Sequence, residues 1–290
     1  MALKQKPSWF EVLYTYVLII IACIAVLFPI YWIFTTSLRP FDILATPTLE
    51  LWPEGATLSN YINIFKDQNF YTAFINSIKI SVVATLLGVI LATLAAYAFS
   101  RFEFPGKGPF YYYYIISQMF PSVVGLIPLF VIFLRIGLLS EEPFLGIPKV
   151  HWALIIIYGA GGLAFSVWNM KGFFDAIPKE LDEAAMIDGA GSFTIFWRII
   201  LPLATPGIAI TALFIFMGAW LEFVTAMTFL SNPKLYTLPL WINLSITNPF
   251  GIPWAKFAAA SLIIAVPVTL LFLFLQRYLL SGLLRGAMIE

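Results

Sequence analysis

Cysteine and histidine are almost absent from this sequence. Cys23 is the one cysteine and His151 the one histidine among 290 residues. A single cysteine forms no disulfide within the chain, and the two residues, far apart in sequence, provide neither a metal cluster nor a nucleophile with its base. The phosphate-binding pattern G-x-x-x-x-G-K-[ST] is also missing. We therefore predict that the chain is not an enzyme and binds no cofactor or metal itself, with a site built from carboxylates alone as the alternative.

Charged residues are scarce as well, at 11% of the sequence, and the formal net charge is +1. Such a chain offers no basic surface to nucleic acid, so we predict no nucleic-acid partner. Hydrophobic residues make up 61% of the sequence and the mean hydropathy is +0.93. Because these values lie far from those of soluble domains, the composition predicts an integral membrane protein.

Several apolar runs are long enough to cross a lipid bilayer as helices. The first run continues well past Cys23, which favours an uncleaved span over a signal peptide. Neither an internal repeat nor a linker divides the chain, so we expect one transmembrane domain over residues 1–290. The six predicted spans cover about residues 12–34, 71–99, 110–134, 152–173, 203–230 and 257–280.

Prolines and glycines within these runs predict local features of the spans. Pro121 and Pro128 free backbone carbonyls in the third span, which predicts a kink stabilised by packing, with a direct role in transport as the alternative. The stretch 231–255 contains four prolines and is predicted to be a loop. In the fourth span, glycines predict close helix packing at Gly159, Gly161 and Gly162.

The longest mixed polar and apolar stretch, Pro178–Pro202, lies between the fourth and fifth spans. Pro178 suits a first helical position, and acidic residues follow where a helix N-terminus favours negative charge. Glycines then break this helix, and Ser192 is the expected N-cap of a second one. An amphipathic connector on the membrane surface is the alternative interpretation. Helical spacing places on one shallow face Leu181, Ala184, Ala185 and Asp188.

This stretch resembles the EAA loop in the permease subunits of bacterial and archaeal ABC importers. The loop is written E-A-A, three residues, G, nine residues, I, one residue, L-P. The sequence has the required residues at these spacings: Glu183, Ala184, Ala185, Gly189, Ile199, Leu201 and Pro202. Neighbouring residues resemble the version in carbohydrate-uptake importers of the maltose and trehalose type: Asp188, Ala190, Leu203 and Pro206. The stretch Arg101–Lys107 also resembles this family.

The resemblance implies an all-α integral membrane protein of the type I ABC importer fold. Such a fold has six transmembrane helices and a cytoplasmic coupling helix between helices 4 and 5. Both termini would share the cytoplasmic side with that helix, and the distribution of Lys and Arg favours this orientation modestly. The residues expected to couple to the ATPase are Glu183, Ala184, Ala185, Asp188, Gly189, Ile199, Leu201 and Pro202.

The same resemblance implies the partners and the cargo. Two ATP-binding subunits, a second homologous permease and an extracytoplasmic sugar-binding protein would complete the importer, with ATP and Mg²⁺ held by the ATPase subunits. The cargo would be a disaccharide or oligosaccharide such as maltose or trehalose. The alternatives are an importer of another polyol such as glycerol phosphate, a secondary transporter driven by an ion gradient, and a membrane scaffold or receptor subunit.

Candidate contact residues lie in and after the fifth span. Glu222 is an acid at membrane depth beside Trp220, which suits either a sugar contact or a structural hydrogen bond between helices. Sugar permeases have a W-N-[DE]-F-like stretch here, whereas this chain has Trp, Leu, Glu and Phe. By the same resemblance, the loop after this span is expected to contact the binding protein through Tyr236, Trp241 and Asn243.

Overall fold

A computed structural model of the chain describes residues 8–40, 51–246 and 253–286. Short strands β1 (Pro143–Phe144) and β2 (Ile147–Pro148) form an antiparallel hairpin, and the other regular elements are helical. The α-helices are α1 (Trp9–Ser37), α2 (Ser59–Lys66), α3 (Gln68–Arg101), α4 (Lys107–Ser117), α5 (Leu126–Arg135), α6 (Lys149–Gly161), α7 (Leu163–Asp175), α8 (Glu180–Ile187), α9 (Ser192–Ile195), α10 (Leu201–Leu203), α11 (Thr205–Leu221), α12 (Val224–Phe229), α13 (Leu238–Ile246) and α14 (Trp254–Gly286).

Three helices, α1, α3 and α14, are each long and apolar enough to cross a membrane alone. Three further candidates are bent pairs: α4 with α5, α6 with α7, and Ser192–Leu203 with α11. Counting each pair as one span gives up to six spans among the described residues, in the order that the apolar runs predict. The third, fourth and fifth runs are not continuous helices, because the pairs bend by 93°, 45° and 76° respectively.

The third span breaks where the sequence predicts only a kink. Helix α4 ends at Ser117, and Pro121 precedes a 3₁₀ turn at Ser122–Gly125. Proline has no N–H to donate and disfavours helical backbone at the residue before it, so the helix stops short of Pro121. Pro128 lies in the first turn of α5, where it disturbs the helix least.

The described chain forms two compact units by packing. The smaller one consists of Met1–Asp67 and Leu244–Ala265, within the described ranges. Here the Asn60 side chain of α2 donates hydrogen bonds to the carbonyls of Ser37, at 3.0 Å, and Arg39, at 2.7 Å. These bonds hold α2 against the end of α1. The apolar side chains of α1 are otherwise exposed, as expected for a surface that lipid or protein covers.

The larger unit, Gln68–Asn243 and Val266–Glu290, is organised around α3. This helix packs against α6, α7 and α11. Residues four apart in sequence lie along one ridge of a helix, and small side chains there allow close approach. The buried ridge of α3 consists of Asn76, Ile80, Ala84, Gly88, Ala92, Ala96 and Ser100.

Helices α3 and α6 approach each other closely at Gly88 and Gly159. A Cβ atom at Gly88 would lie 2.9 Å from the Gly159 carbonyl oxygen and 2.9 Å from the Ile215 Cδ1 atom. The prediction of close packing is therefore confirmed for Gly159. A Cβ atom at Gly161 would meet no other helix within 4 Å in the described part of the chain, and Gly162 lies at the bend between α6 and α7.

The predicted loop after the fifth span is largely helical. A 3₁₀ turn covers Pro233–Leu235, and α13 follows at Leu238–Ile246. The loop prediction was wrong for α13, because Pro239 falls in its first turn, where no helical N–H bond is lost, and Leu238 and Leu240 are buried. Residues 247–252 of the predicted loop lie outside the described residues.

We expect Gly88→Ala to destabilise the protein. The added methyl meets backbone, so the helices must separate, and overpacking of this kind costs about 1–3 kcal/mol despite the better helix propensity of alanine. Thermal unfolding of the purified protein in detergent should show a lower Tm. Gly218→Ala in α11 is the matched control, since a Cβ atom at Gly218 would have no neighbour within 4 Å among the described residues. An equal Tm for both variants would contradict close packing at Gly88.

Candidate coupling segment and transmembrane site

The segment between α7 and α11 contains two helices separated by a glycine, as predicted. Gly189 has φ +82°, and its N–H donates to the Met186 carbonyl, while the Ala190 N–H donates to the Ala185 carbonyl. These two bonds form a Schellman motif, which ends a helix at a left-handed residue and so favours glycine. The N-cap of α9 is Gly191, not Ser192 as predicted, because Ser192 is already the first helical residue.

Helix α8 turns one of the two motif alanines inward and the other outward. Ala185 is 7% exposed and belongs to a buried apolar cluster with Phe99, Phe174 and Ile177. Ala184, in contrast, is exposed. The prediction of one common face for both alanines was therefore wrong, since 100° per residue separates neighbours on a helix. The exposed side of α8 includes Leu181, Glu183, Ala184, Ile187 and Asp188.

The second half of the segment explains the remaining motif residues. A π-helical turn covers Phe196–Ile200 and leads into α10, with Pro202 as its second residue. Pro202 has no N–H for the regular helical bond, and π turns occur where that ladder is disturbed. Ile199 and Leu201 pack against the same apolar cluster as Ala185. The exposed Pro202 precedes the bend that leads into α11.

A buried ion pair connects α8 to α3. The Arg101 Nε atom lies 2.7 Å from the Asp182 Oδ2 atom, and the two side chains are 7% and 9% exposed. Arg101 also donates through Nη2 to the Ile177 carbonyl at 2.9 Å. Neither Arg101 nor Asp182 is among the coupling residues predicted from the sequence. The available signal was an arginine at the end of an apolar run and an acid on the inward side of α8.

Glu222 lies at a break in the fifth span, which was predicted to be continuous. Helix α11 ends at Leu221, and Glu222 has extended backbone with ψ 131°. Its carboxylate accepts the N–H groups of Thr225, at 2.8 Å, and Ala226, at 3.2 Å, which begin α12. It also accepts the hydroxyl of Tyr158 at 2.7 Å. Of the two roles predicted for Glu222, the structure shows the hydrogen bond between helices, and the sugar contact stays a prediction.

Trp220, the other predicted path residue, is fully buried within the described chain. Its ring stacks on Phe216, with centroids 5.7 Å apart, and meets Phe74 edge to face at 5.9 Å. The Phe74 contact belongs to the packing of α11 against α3, whereas Phe216 lies one turn before Trp220 in α11 itself. A path role for Trp220 stays a prediction.

A cavity of about 700 Å³ lies beside the break between α4 and α5. Thr225, whose N–H binds Glu222, contributes to its wall. Gln118 also lines it and donates through Nε2 to the Gly161 carbonyl at 2.8 Å. The other polar side chains in the wall belong to Tyr114, Ser117 and Ser122. Sequence analysis missed this site, because the residues come from four α-helices and a 3₁₀ turn.

The predicted binding-protein contacts lie near the other end of α3. Asn76 donates to the carbonyls of Lys234, at 3.0 Å, and Tyr236, at 3.2 Å, and so anchors the 3₁₀ turn. Tyr236 is half-buried, and Trp241 is buried in an edge contact with Phe70. Asn243 is half-buried in α13. Their contact with a binding protein stays a prediction.

Comparisons with known proteins agree with this architecture. Residues 84–285 match the family model described as binding-protein-dependent transport system inner membrane component. The galactooligosaccharides transport system permease protein of Bacillus subtilis is 33% identical over 281 residues, 96% of this chain and 95% of its own. The trehalose transport system permease protein of Mycobacterium tuberculosis is 34% identical over 262 residues, 90% of this chain and 92% of its own.

A solved structure shares the fold. One chain of a bacterial ABC transporter involved in the import of the acidic polysaccharide alginate superposes with a TM-score of 0.77 and 23% sequence identity. The superposition covers 95% of this chain and 99% of that one. The type I importer fold predicted from the resemblance is thus confirmed. The protein is embedded in the membrane and belongs to the family of binding-protein-dependent transport system inner membrane components, the permease subunits of ABC importers.

Proposed function

We propose that this chain is one permease subunit of an ABC importer that carries a disaccharide or oligosaccharide, of the maltose or trehalose kind, into the cytoplasm. Relatives named for galactooligosaccharides and trehalose, similar over at least 90% of this chain, support the sugar class. Two ATP-binding subunits, a second homologous permease and an extracytoplasmic sugar-binding protein would complete the assembly. ATP and Mg²⁺ would bind to the ATPase subunits, and residues 1–290 would act as one transmembrane domain.

The exposed face of α8 is the observation that carries this proposal. Its inward side is held by Ala185 and Asp182, yet Ile187 is 87% exposed, and Phe193 in the next helix is 75% exposed. Large apolar side chains so exposed in a polar segment indicate a surface that another protein covers. An ATPase groove that receives α8 would bury them, while Ala184 would allow close backbone approach.

In the proposed mechanism, ATP binding closes the ATPase pair and displaces α8. The displacement would reach the fourth span through α7 and the fifth through α9–α11, because α8 connects them directly. Both termini and α8 would lie on the cytoplasmic side. The predicted coupling residues would act in this transfer: Glu183, Ala184, Ala185, Asp188, Gly189, Ile199, Leu201 and Pro202.

For the sugar path we propose the cavity between α4, α5 and α6. Its volume of about 700 Å³ lies within the range of small-molecule sites. Hydroxyl and amide groups in its wall would serve sugar hydroxyls, which need donors and acceptors. Glu222 would shape the path by holding the break before α12, and Trp220 by holding α11 against α3. At the other face, Tyr236, Trp241 and Asn243 would support the surface that receives the binding protein.

The first test is purification of the tagged chain from its native membrane in mild detergent, followed by mass spectrometry. We expect an ATPase, a second permease and a sugar-binding protein to co-purify after cross-linking, because the importer needs all of them. The ligand of that binding protein identifies the cargo. A single chain without partners would contradict the proposal and favour an ion-driven carrier.

We expect Ala184→Trp to uncouple ATP hydrolysis from uptake. The bulky ring would stand between α8 and its groove, and a misfit of about 1.4 kcal/mol corresponds to about a tenfold loss. In proteoliposomes, sugar uptake should fall about tenfold while hydrolysis continues and the Tm stays unchanged. Ala184→Ser, which keeps the side chain small, should behave as wild type. Normal uptake by Ala184→Trp would exclude the coupling role of this face.

Glu222→Gln should destabilise the assembled permease. The amide has one acceptor oxygen in place of two, so an N–H of α12 loses its partner, which costs about 1–3 kcal/mol. A lower Tm with an unchanged KM for sugar is expected. Tyr158→Phe removes only the hydroxyl donor and should lower the Tm less. A raised KM with an unchanged Tm would instead place Glu222 in contact with sugar.

A further inference from the structure

The last residues of α3 contact α7, α8 and the π turn that follows α9. Ser100 donates to the Asp175 carboxylate of α7 at 2.6 Å. The Tyr97 ring lies against Phe174 of α7, with centroids 5.7 Å apart, and against Phe196 of the π turn, at 4.7 Å. Arg101 reaches α8. The end of this uninterrupted transmembrane helix therefore packs against the coupling segment, although the helix and the segment are far apart in sequence.

Arg101 makes the most specific of these contacts. Its guanidinium lies 2.7 Å from the Asp182 carboxylate in α8 and donates to the carbonyl of Ile177, in the turn before α8. A planar guanidinium that contacts two groups at once restricts their relative orientation more than the ammonium of lysine does. The arrangement sets the angle at which α8 leaves the body of the protein.

Stability alone does not explain well why the chain contains the buried Arg101–Asp182 ion pair. Removing two charges from water costs about as much as their attraction returns, and apolar side chains of similar volume often stabilise a protein equally well. Both side chains are buried, at 7% and 9% exposure, so the cost of removing their charges from water applies to this pair. The neighbouring apolar cluster of Ala185, Phe99 and Phe174 shows that apolar packing between the same elements is available.

We propose that Arg101, through its ion pair with Asp182, is a positioning residue that transmits displacement of α8 directly into α3. Rigid elements and ion pairs of this kind can link two sites across a protein. The motion then reaches the second span through the ion pair. It reaches the fourth and fifth spans through the backbone that connects them to α8. This inference rests on the proposed function, in which α8 is the element that the ATPase moves.

A double substitution separates transmission from folding. Arg101→Met with Asp182→Leu removes both buried charges and leaves apolar side chains, so the Tm should stay equal or rise. Glu103→Leu with Lys107→Met is the matched control, because it removes an ion pair of 2.9 Å from the loop that follows α3, where Glu103 is 82% exposed. Both double variants replace one basic and one acidic residue, and Glu103 and Lys107 follow Arg101 closely in sequence.

The measurement is the ratio of sugar imported to ATP hydrolysed in proteoliposomes containing the full complex and its binding protein. Wild type is first tested with labelled maltose, trehalose and galactobiose, and the imported sugar is then used for every variant. We expect the Arg101→Met/Asp182→Leu complex to assemble and hydrolyse ATP while this ratio falls at least about fivefold, the lower limit of typical coupling effects. The control should keep the wild-type ratio.

An unchanged ratio in the double variant, with assembly and Tm retained, would overturn the proposal and leave the pair a purely structural role. If this variant fails to assemble, Arg101→Lys provides the test, because lysine keeps the positive charge but lacks the planar guanidinium. The ratio should then fall, and an unchanged ratio would overturn the proposal. Failure of the proposed function looks different, because wild type itself would then import no sugar at the expense of ATP.

Discussion

Lipid cannot hydrogen-bond the backbone groups that an interrupted membrane helix exposes, so each interruption needs a substitute partner from the protein. The fourth span bends at Gly162, and the carbonyl of Gly161 accepts a hydrogen bond from Gln118, at the break in the third span. The fifth span breaks at Glu222, whose carboxylate accepts the N–H groups of Thr225 and Ala226. Gln118 and Glu222 thus lie where the helices stop. Residues at or next to all three breaks line the cavity proposed as the sugar path.

Helix α3 has the opposite character, because it is uninterrupted for 34 residues and carries a buried ridge of mostly small side chains. Its neighbours approach closely along that ridge, with backbone against backbone at Gly88 and Gly159. Polar residues occur at the two ends. Asn76 holds the turn before α13, and Arg101 holds the start of α8. The same rigid helix therefore reaches both surfaces where partner proteins are proposed.

Different physical reasons explain why each position of the coupling pattern carries its residue type. Ala185 is small because it is buried, and Gly189 is glycine because φ is +82°. Pro202 follows the π turn that its missing N–H favours. Ala184 is exposed, so packing within the described chain does not require a small side chain there. The proposed partner that approaches α8 closely would supply a reason for the small side chain, so substitution of Ala184 distinguishes the proposed docking from a purely structural role.

Local composition and spacing determined the membrane class, the six apolar runs and the two short helices separated at Gly189, because hydropathy and helix-ending glycines act over a few neighbouring residues. The tertiary structure decided which alanine of α8 faces inward, that α13 is helical, and that Glu222 caps a second helix and binds Tyr158. It also decided that Arg101 pairs with Asp182. Burial and pairing depend on side chains brought together from distant parts of the chain, and spacing along one segment does not contain that information.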